Sequence, residues 1–330
     1  MNAGVPLLDV RNLAVHYRRR KSGPIVKALD RVSCRLEAGR SLGVVGETGS
    51  GKSTLGKAIL GLAPVQEGSI LLQGAEITRL DPRQRRGLSR TMQVVFQDPS
   101  SSLNPYITVG SSLEEPLKVH GTSSRVELQM QVTRALERVG LSPDAANRYP
   151  GQFSGGQRQR IAIARALMID PQLIICDEVV SALDLSVQAQ ILNLLSDLQK
   201  EQQLSYLFIS HDIAVVRYLC DEVIVLYQGQ VMESGPTGAV IDNPAHPYTK
   251  ELIASSPVAD PKIQRQWRAD QRKELRGMVS SSEQVGEKGC PFAPRCPFAV
   301  DRCRIERPPQ VATAFQGQVA CHRYPEWQGR

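Results

Sequence analysis

From residue 7 to about residue 256, short apolar runs alternate with stretches whose apolar positions recur at helical spacing, the pattern of an α/β domain. Residues 41–45, 173–176 and 206–210 are largely apolar and read as short strands buried on both faces, as in a mostly parallel sheet. Residues 222–226 and 230–233 flank Tyr227-Gln228-Gly229 as the arms of a hairpin. Leu113, Leu117, Leu128, Val132, Leu136 and Val139 fall at near-helical spacing and predict an inserted helical subdomain over about residues 98–168. Residues 259–289 turn polar and charged and read as a linker. It joins a domain over residues 1–258 to a small cysteine-rich extension over 290–330.

With 330 residues, 41% of them hydrophobic, the chain has length for one large or two modest domains and enough apolar side chains for a core. Wholesale disorder is excluded. No uncharged apolar run reaches spanning length, since Arg165, Asp170 and Pro171 break the longest one. The first nine residues lack the basic and apolar regions of a secretory signal, so the cytoplasm is the expected compartment. The net charge of +7 includes two basic runs, at 18–21 and 262–276. Such runs suit nucleic acid, an anionic membrane surface or plain solvated loops, and alone decide nothing.

Three motifs carry the chemistry. Gly46-Glu47-Thr48-Gly49-Ser50-Gly51-Lys52-Ser53 fits the P-loop, with an apolar strand before it and a helical run opening at Thr54 behind it. Its glycines let successive N–H groups point at phosphate oxygens, and the helix N-terminus adds a favourable dipole. Lys52 would neutralise the β- and γ-phosphates and the Ser53 hydroxyl would ligate Mg²⁺. The strand Leu173-Ile174-Ile175-Cys176 carries Asp177 to its carboxyl end, where a Mg²⁺-coordinating carboxylate belongs, and Glu178 follows as a candidate general base. Phe153-Ser154-Gly155-Gly156-Gln157 precedes a helical run over 158–168. It reads as a second phosphate-seeking helix start or as an ordinary N-cap.

In this order the motifs resemble those of the ATP-binding subunits of ABC transporters, whose signature is Ser-Gly-Gly-Gln. The resemblance implies a P-loop NTPase fold: a RecA-like core, an antiparallel β subdomain and an inserted helical subdomain. It also implies roles for further residues. Gln97 is similar to the glutamine that touches Mg²⁺ and water and faces the membrane partner, Asp184 to the residue at the dimer seam, and His211 to the switch histidine on the γ-phosphate. Tyr17 looks like the aromatic that stacks on adenine. In such proteins two cassettes pair head to tail, and the Ser154–Gln157 segment of one would close on ATP held by the other.

Residues 94–105, 153–167, 181–195 and Asn243-Pro244-Ala245-His246-Pro247-Tyr248-Thr249 resemble the oligopeptide, dipeptide and nickel importer branch. His246 marks lineage there, a turn histidine between prolines. The branch implies uptake of di- or oligopeptides, with nickel, glutathione or opine-like solutes as alternatives. Its partners are a second ATP-binding subunit (a sibling in this branch), two permease subunits and a periplasmic or surface solute-binding protein. The place is the cytoplasmic side of the bacterial inner membrane. A soluble ABC ATPase acting on nucleic acid is the competing class, but Gln97 and Ser154 lie too close for the coiled-coil insertion such enzymes need, and nucleic acid is not expected. One departure is plain: Val179 stands where the family has proline after the glutamate.

Seven cysteines divide unevenly. Cys34, Cys176 and Cys220 are scattered and read as small core residues. Cys290, Cys296, Cys303 and Cys321 crowd a proline-punctuated end piece without the close pairs of a zinc site. A [4Fe–4S] cluster, zinc and unligated thiols all remain open, and the resemblance to peptide-importer ATPases favours the cluster. His322 is either a substitute ligand or an exposed neighbour.

Overall fold

The structure, a computed structural model, describes residues 5–18, 25–98, 102–121, 124–255 and 289–329. The expected linker, apart from its last residue, lies outside the described residues, as do residues 19–21 and 262–276 of the basic runs. The chain divides into two compact units. The first begins with β1 (Leu8–Arg18), β2 (Ile25–Leu36), β3 (Ser41–Val45), α1 (Lys52–Ile59), β4 (Glu67–Leu72) and β5 (Ala75–Glu76). The second takes residues 79–209, with α2 (Pro82–Leu88), β6 (Met92–Val95), α3 (Val109–Val119), α4 (Arg125–Arg138), α5 (Gly155–Leu167), β7 (Leu173–Asp177), α6 (Leu185–Gln202) and β8 (Ser205–Ile209). The chain then returns to the first unit with α7 (Ile213–Leu219), β9 (Glu222–Tyr227), β10 (Gln230–Pro236), α8 (Thr237–Asp242) and α9 (Pro247–Ser255). It ends there with α10 (Asp301–Ile305), β11 (Gln310–Ala312) and β12 (Gln318–Ala320).

In the second unit β6, β7 and β8 run parallel, Leu173 facing both Met92 and Ser205. The first four residues of β7 and all of β8 are buried, the signature of strands covered on both faces. The six apolar positions that predicted helices there are all buried, and α3, α4 and α5 pack on one another. Here α5 starts at Gly155, three residues before the apolar stripe suggested, because the cap at Ser154 and not the stripe fixes the first turn.

In the first unit β3 and β9 are parallel, and β10, β12 and β11 extend that ladder antiparallel. A separate sheet in the order β2-β1-β4-β5 pairs β1 and β4 antiparallel, Val10 opposite Ile70. The register of β1 slips between Arg11 and Ala14, where Asn12 takes a left-handed φ of 47°. That bulge puts both Val10 and Leu13 in the core despite their odd spacing. The expected hairpin is present: Gln230 pairs with Tyr227 across Gln228 and Gly229, at φ 44° and 77°. Two successive positive φ values give the twist a two-residue hairpin needs.

Residues 289–329 belong to this first unit and are tied to it by rings as well as by β12. The Phe292 ring, fully buried, stands 5.5 Å from both Tyr227 and Tyr248 and 5.7 Å from His246. Trp327 donates its indole N–H to the Ala245 carbonyl at 3.0 Å and packs on Phe298.

Candidate functional site

The P-loop lies in the first unit. All five residues of β3 are buried, and the chain turns at Gly46, where a side chain would meet the Leu226 carbonyl 2.1 Å away. Gly51, at φ 106°, precedes α1 and passes so close to the Ala28 carbonyl that a Cβ would sit 2.5 Å from it. Only glycine tolerates either position. The loop is held from outside by Gly229 of the hairpin, whose N–H donates to the Ser50 carbonyl at 2.9 Å. Glu47 donates its N–H to the Tyr248 hydroxyl at 2.9 Å.

Lys52 is only 5% exposed and bridges the loop, its Nζ donating to the Gly46 carbonyl at 2.8 Å and the Glu47 carbonyl at 2.9 Å. No side chain caps the N-terminus of α1. Its N-cap, Gly51, supplies no side-chain acceptor to the first turn. The Ser50 hydroxyl is buried with no hydrogen-bond partner among the described residues. A buried ammonium, an uncapped helix start and an orphaned hydroxyl together fit an anionic phosphate chain. Ser53 and Thr54 follow Lys52 in the first turn of α1. Tyr17 stands exposed near the end of β1. His211 follows Ser210, whose N–H donates to the Val44 carbonyl at 3.1 Å, and is exposed just before α7.

The second unit carries the carboxylates. Asp177 ends β7 and is half-buried, like Glu178 after it. Glu178 has the left-handed φ of 51°, uncommon outside glycine, and its N–H donates to the Ile209 carbonyl at 3.0 Å. Val179, in the place of the family's proline, is buried at 1% exposure and fills core space. Ser181 donates both N–H and hydroxyl to the Glu178 carbonyl, at 3.1 and 2.9 Å, and accepts from Gln97 Nε2 at 3.1 Å. The motif glutamine and the segment leading to Asp184 are thus joined through Ser181, a link that no sequence pattern signals. Asp184 caps α6, accepting from the Val187 N–H at 3.0 Å and the Ser186 hydroxyl at 2.7 Å. The Ser186 bond, then the backbone donors, hold its carboxyl below the usual range.

Ser154 and Gln157 form a closed capping box at the start of α5. Ser154 Oγ accepts the Gln157 N–H at 3.3 Å and Gln157 Oε1 accepts the Ser154 N–H at 3.0 Å. The N-cap reading of this motif is therefore realised in the single chain. Gly155 and Gly156 still begin the helix. Gly156 lies against α6, where a side chain would come within 2.3 Å of Val187 Cγ1.

Residues 29–181 match the ABC transporter family model, and residues 232–303 match the oligopeptide/dipeptide transporter C-terminal region. A probable peptide ABC transporter ATP-binding protein of Sinorhizobium fredii is 47% identical over 96% of this chain and 89% of its own length. This chain belongs to the ABC transporter ATP-binding proteins. A candidate peptide import ATP-binding protein of Brucella ovis is 46% identical to this ABC protein, over 92% of the chain and 93% of the relative. Among solved structures, a dimeric ATP-binding cassette in a post-hydrolysis state, bound to ADP and Pi, superposes with a TM-score of 0.64 at 30% identity. That match covers 70% of this chain and 98% of the other. The cbiO1 protein of Clostridium perfringens, part of the ABC transporter complex cbiONQ, gives 0.66 at 27% identity over 80% and 99%. The expected P-loop α/β fold of an ABC ATPase is borne out.

The cysteines of this ABC ATPase separate as their spacing suggested. Cys34, Cys176 and Cys220 are buried core residues, and burial pushes the Cys34 thiol up to about 12. Cys290, Cys296, Cys303 and Cys321 line one cavity with His246 and His322. Burial, reinforced by the neighbouring thiols, pushes Cys290 up to about 11 and Cys296 to about 12. Among the described residues no three His, Cys, Asp or Glu side chains are grouped to hold a metal ion. The four thiols line one cavity, but the iron–sulfur expectation finds no support among the described residues. His322 is half-buried and bonds the Glu306 carbonyl, at 3.0 Å. His246 is buried, receives the Tyr248 N–H on Nδ1 at 3.0 Å, and is pushed down to about 3 by burial. It is a neutral turn residue. No helix among the described residues is long and apolar enough to cross a membrane.

Proposed function

We propose that this chain is the ATP-hydrolysing subunit of an importer that drives di- or oligopeptides across the bacterial inner membrane. The observation that carries the reading is the uncapped start of α1, with the Lys52 ammonium lying across the loop carbonyls, in a chain of the ABC family. The peptide substrate is supported by the names of the relatives and by the match of residues 232–303. Residues 1–258 act as the ATP-binding domain, residues 98–168 as its helical subdomain, and 290–330 as a C-terminal extension.

ATP is the substrate. Tyr17 stacks on adenine, the loop from Gly46 to Thr54 wraps the phosphates, and Lys52 neutralises the β- and γ-phosphates. Ser53, Asp177 and Gln97 would hold Mg²⁺, which supplies charge neutralisation at the phosphates when bound. Glu178 takes the proton of the attacking water and His211 contacts the γ-phosphate. Ser154, Gly155, Gly156 and Gln157, with Asp184 at the seam, meet the ATP held by a second ATP-binding subunit. Hydrolysis removes the phosphate that joins the pair. Two permease subunits and a solute-binding protein complete the assembly, with this chain peripheral on the cytoplasmic side.

Cys290, Cys296, Cys303 and Cys321 form the thiolate set that would hold a [4Fe–4S] cluster, which supplies a redox-active cross-link when bound. Iron and acid-labile sulfide in anaerobically purified chain test this, and colourless iron-free protein overturns it.

Purification in mild detergent from a strain producing the whole operon tests the reading at large. We expect hydrophobic permease subunits to co-purify and labelled di- or tripeptide uptake to stop when this chain is removed. Undiminished peptide uptake overturns the substrate, and co-purifying nucleic acid in place of permeases overturns the class.

A further inference from the structure

One side chain of the cysteine-rich extension reaches the phosphate loop, although 248 positions separate the two in sequence. Arg295 donates from Nη1 to Glu47 Oε2 and from Nη2 to Glu47 Oε1, both at 2.9 Å, the parallel fork that guanidinium makes with carboxylate. Nη2 also donates to Glu251 of α9, and Nη1 reaches the Tyr227 hydroxyl at 3.4 Å. The guanidinium lies 5.5 Å from the Phe292 ring centroid and 5.7 Å from that of Tyr227. Tight turns fix the segment itself: Ala293 N–H donates to Cys290 O at 3.0 Å, Arg295 N–H to Phe292 O at 3.0 Å, and Cys296 N–H to Ala293 O at 3.3 Å.

Glu47 is therefore gripped at three points. Its carboxylate is held by Arg295, its N–H by Tyr248, and its carbonyl by Lys52 and by the Ser50 N–H at 3.1 Å. The Lys52 bond is the one that weakens when the ammonium turns to a phosphate; the Ser50 N–H still holds the carbonyl, and Arg295 and Tyr248 keep the rest of the residue in place. We propose that Arg295 is a positioning residue for ATP, clamping the second residue of the P-loop through its carboxylate so that the C-terminal extension sets nucleotide affinity. This rests on the reading of the loop as the ATP site. A plain structural ion pair, pinning the extension to the domain, would show in stability alone.

The test uses the full chain: titration with a fluorescent ATP analogue, steady-state ATPase in the assembled transporter, and the melting temperature of each variant. Arg295→Ala and Glu47→Gln should each weaken ATP binding about 3- to 10-fold, raising KM with kcat within about twofold. Combining them should cost no more than the worse single change, because both remove one interaction. Arg295→Lys should restore little, since an ammonium cannot make the fork. ATP affinity within twofold of wild type for Arg295→Ala overturns the proposal, and so do multiplying effects in the double variant. A fall in melting temperature or kcat at unchanged KM overturns it too. If Arg295→Ala does not fold, Arg295→Lys and Glu47→Gln carry the same test. Lys52→Ala separates the two levels: if it leaves binding intact, the ATP site itself is misassigned.

Discussion

Two helix starts in this chain, both assigned to phosphate by the proposed function, are built in opposite ways. At α1 the cap position is Gly51, which makes no side-chain cap bond. At α5 it is Ser154, whose hydroxyl closes a reciprocal box with Gln157. The α1 end has a glycine cap with no side-chain bond and its helix dipole, and the loop before it holds its shape through Lys52, Gly229 and Tyr248. The α5 end is complete without a ligand. An uncapped end is suited to holding ATP in a single subunit, and a capped one to adding a weaker, reversible contact once a second subunit arrives.

The largest expected effect isolates chemistry from grip. Glu178→Gln should lower hydrolysis by the ~10²- to 10⁴-fold typical of a general base, with ATP affinity unchanged. With turnover stopped, ATP should hold pairs of subunits together long enough to see by sedimentation. A wild-type rate would remove Glu178 from that role. Next comes Lys52→Ala, aimed at the uncapped end. Losing a buried charge-assisted contact to phosphate should weaken ATP binding by about 10- to 100-fold in a fluorescence titration. A change under twofold would mean that the α1 end is not where ATP is held.

The contrast between the two ends also marks what the residues reveal in advance. The P-loop was legible because its work is done by eight adjacent residues of required type, between an apolar run and a helical one. Strand β3 was found with its bounds, and β7 and β8 to within one residue, because buried parallel strands are nearly continuous apolar runs. The signature motif was legible as a motif. Whether its serine is spent on capping depends on Gln157 reaching back, a matter of side-chain geometry. β11 and β12, three residues each, are too short for any periodicity to show. The Arg295–Glu47 fork leaves no trace in the pattern, because only the tertiary fold brings the two together. Asn12 shows the same limit locally, since a bulge reverses the facing of the residues after it.

The smallest expected effect bears on the capped end and decides whether its cap and its contact with a second subunit's ATP are separable. Ser154→Ala removes the acceptor for the Gln157 N–H and should cost about 1 kcal/mol of stability. For a chain of this size that is a fall of about 1–2 °C in melting temperature. Ser154→Asp keeps a good cap, and its negative charge suits the helix dipole, so the melting temperature should stay at or above that of wild type. The same carboxylate repels a phosphate. In the Glu178→Gln background, Ser154→Asp should bind ATP as tightly in the single chain and yet fail to pair in its presence. Pairing at the wild-type ATP concentration would show that the α5 end serves only to cap its own helix, and the contrast between the two ends would then be one of local stability rather than of function.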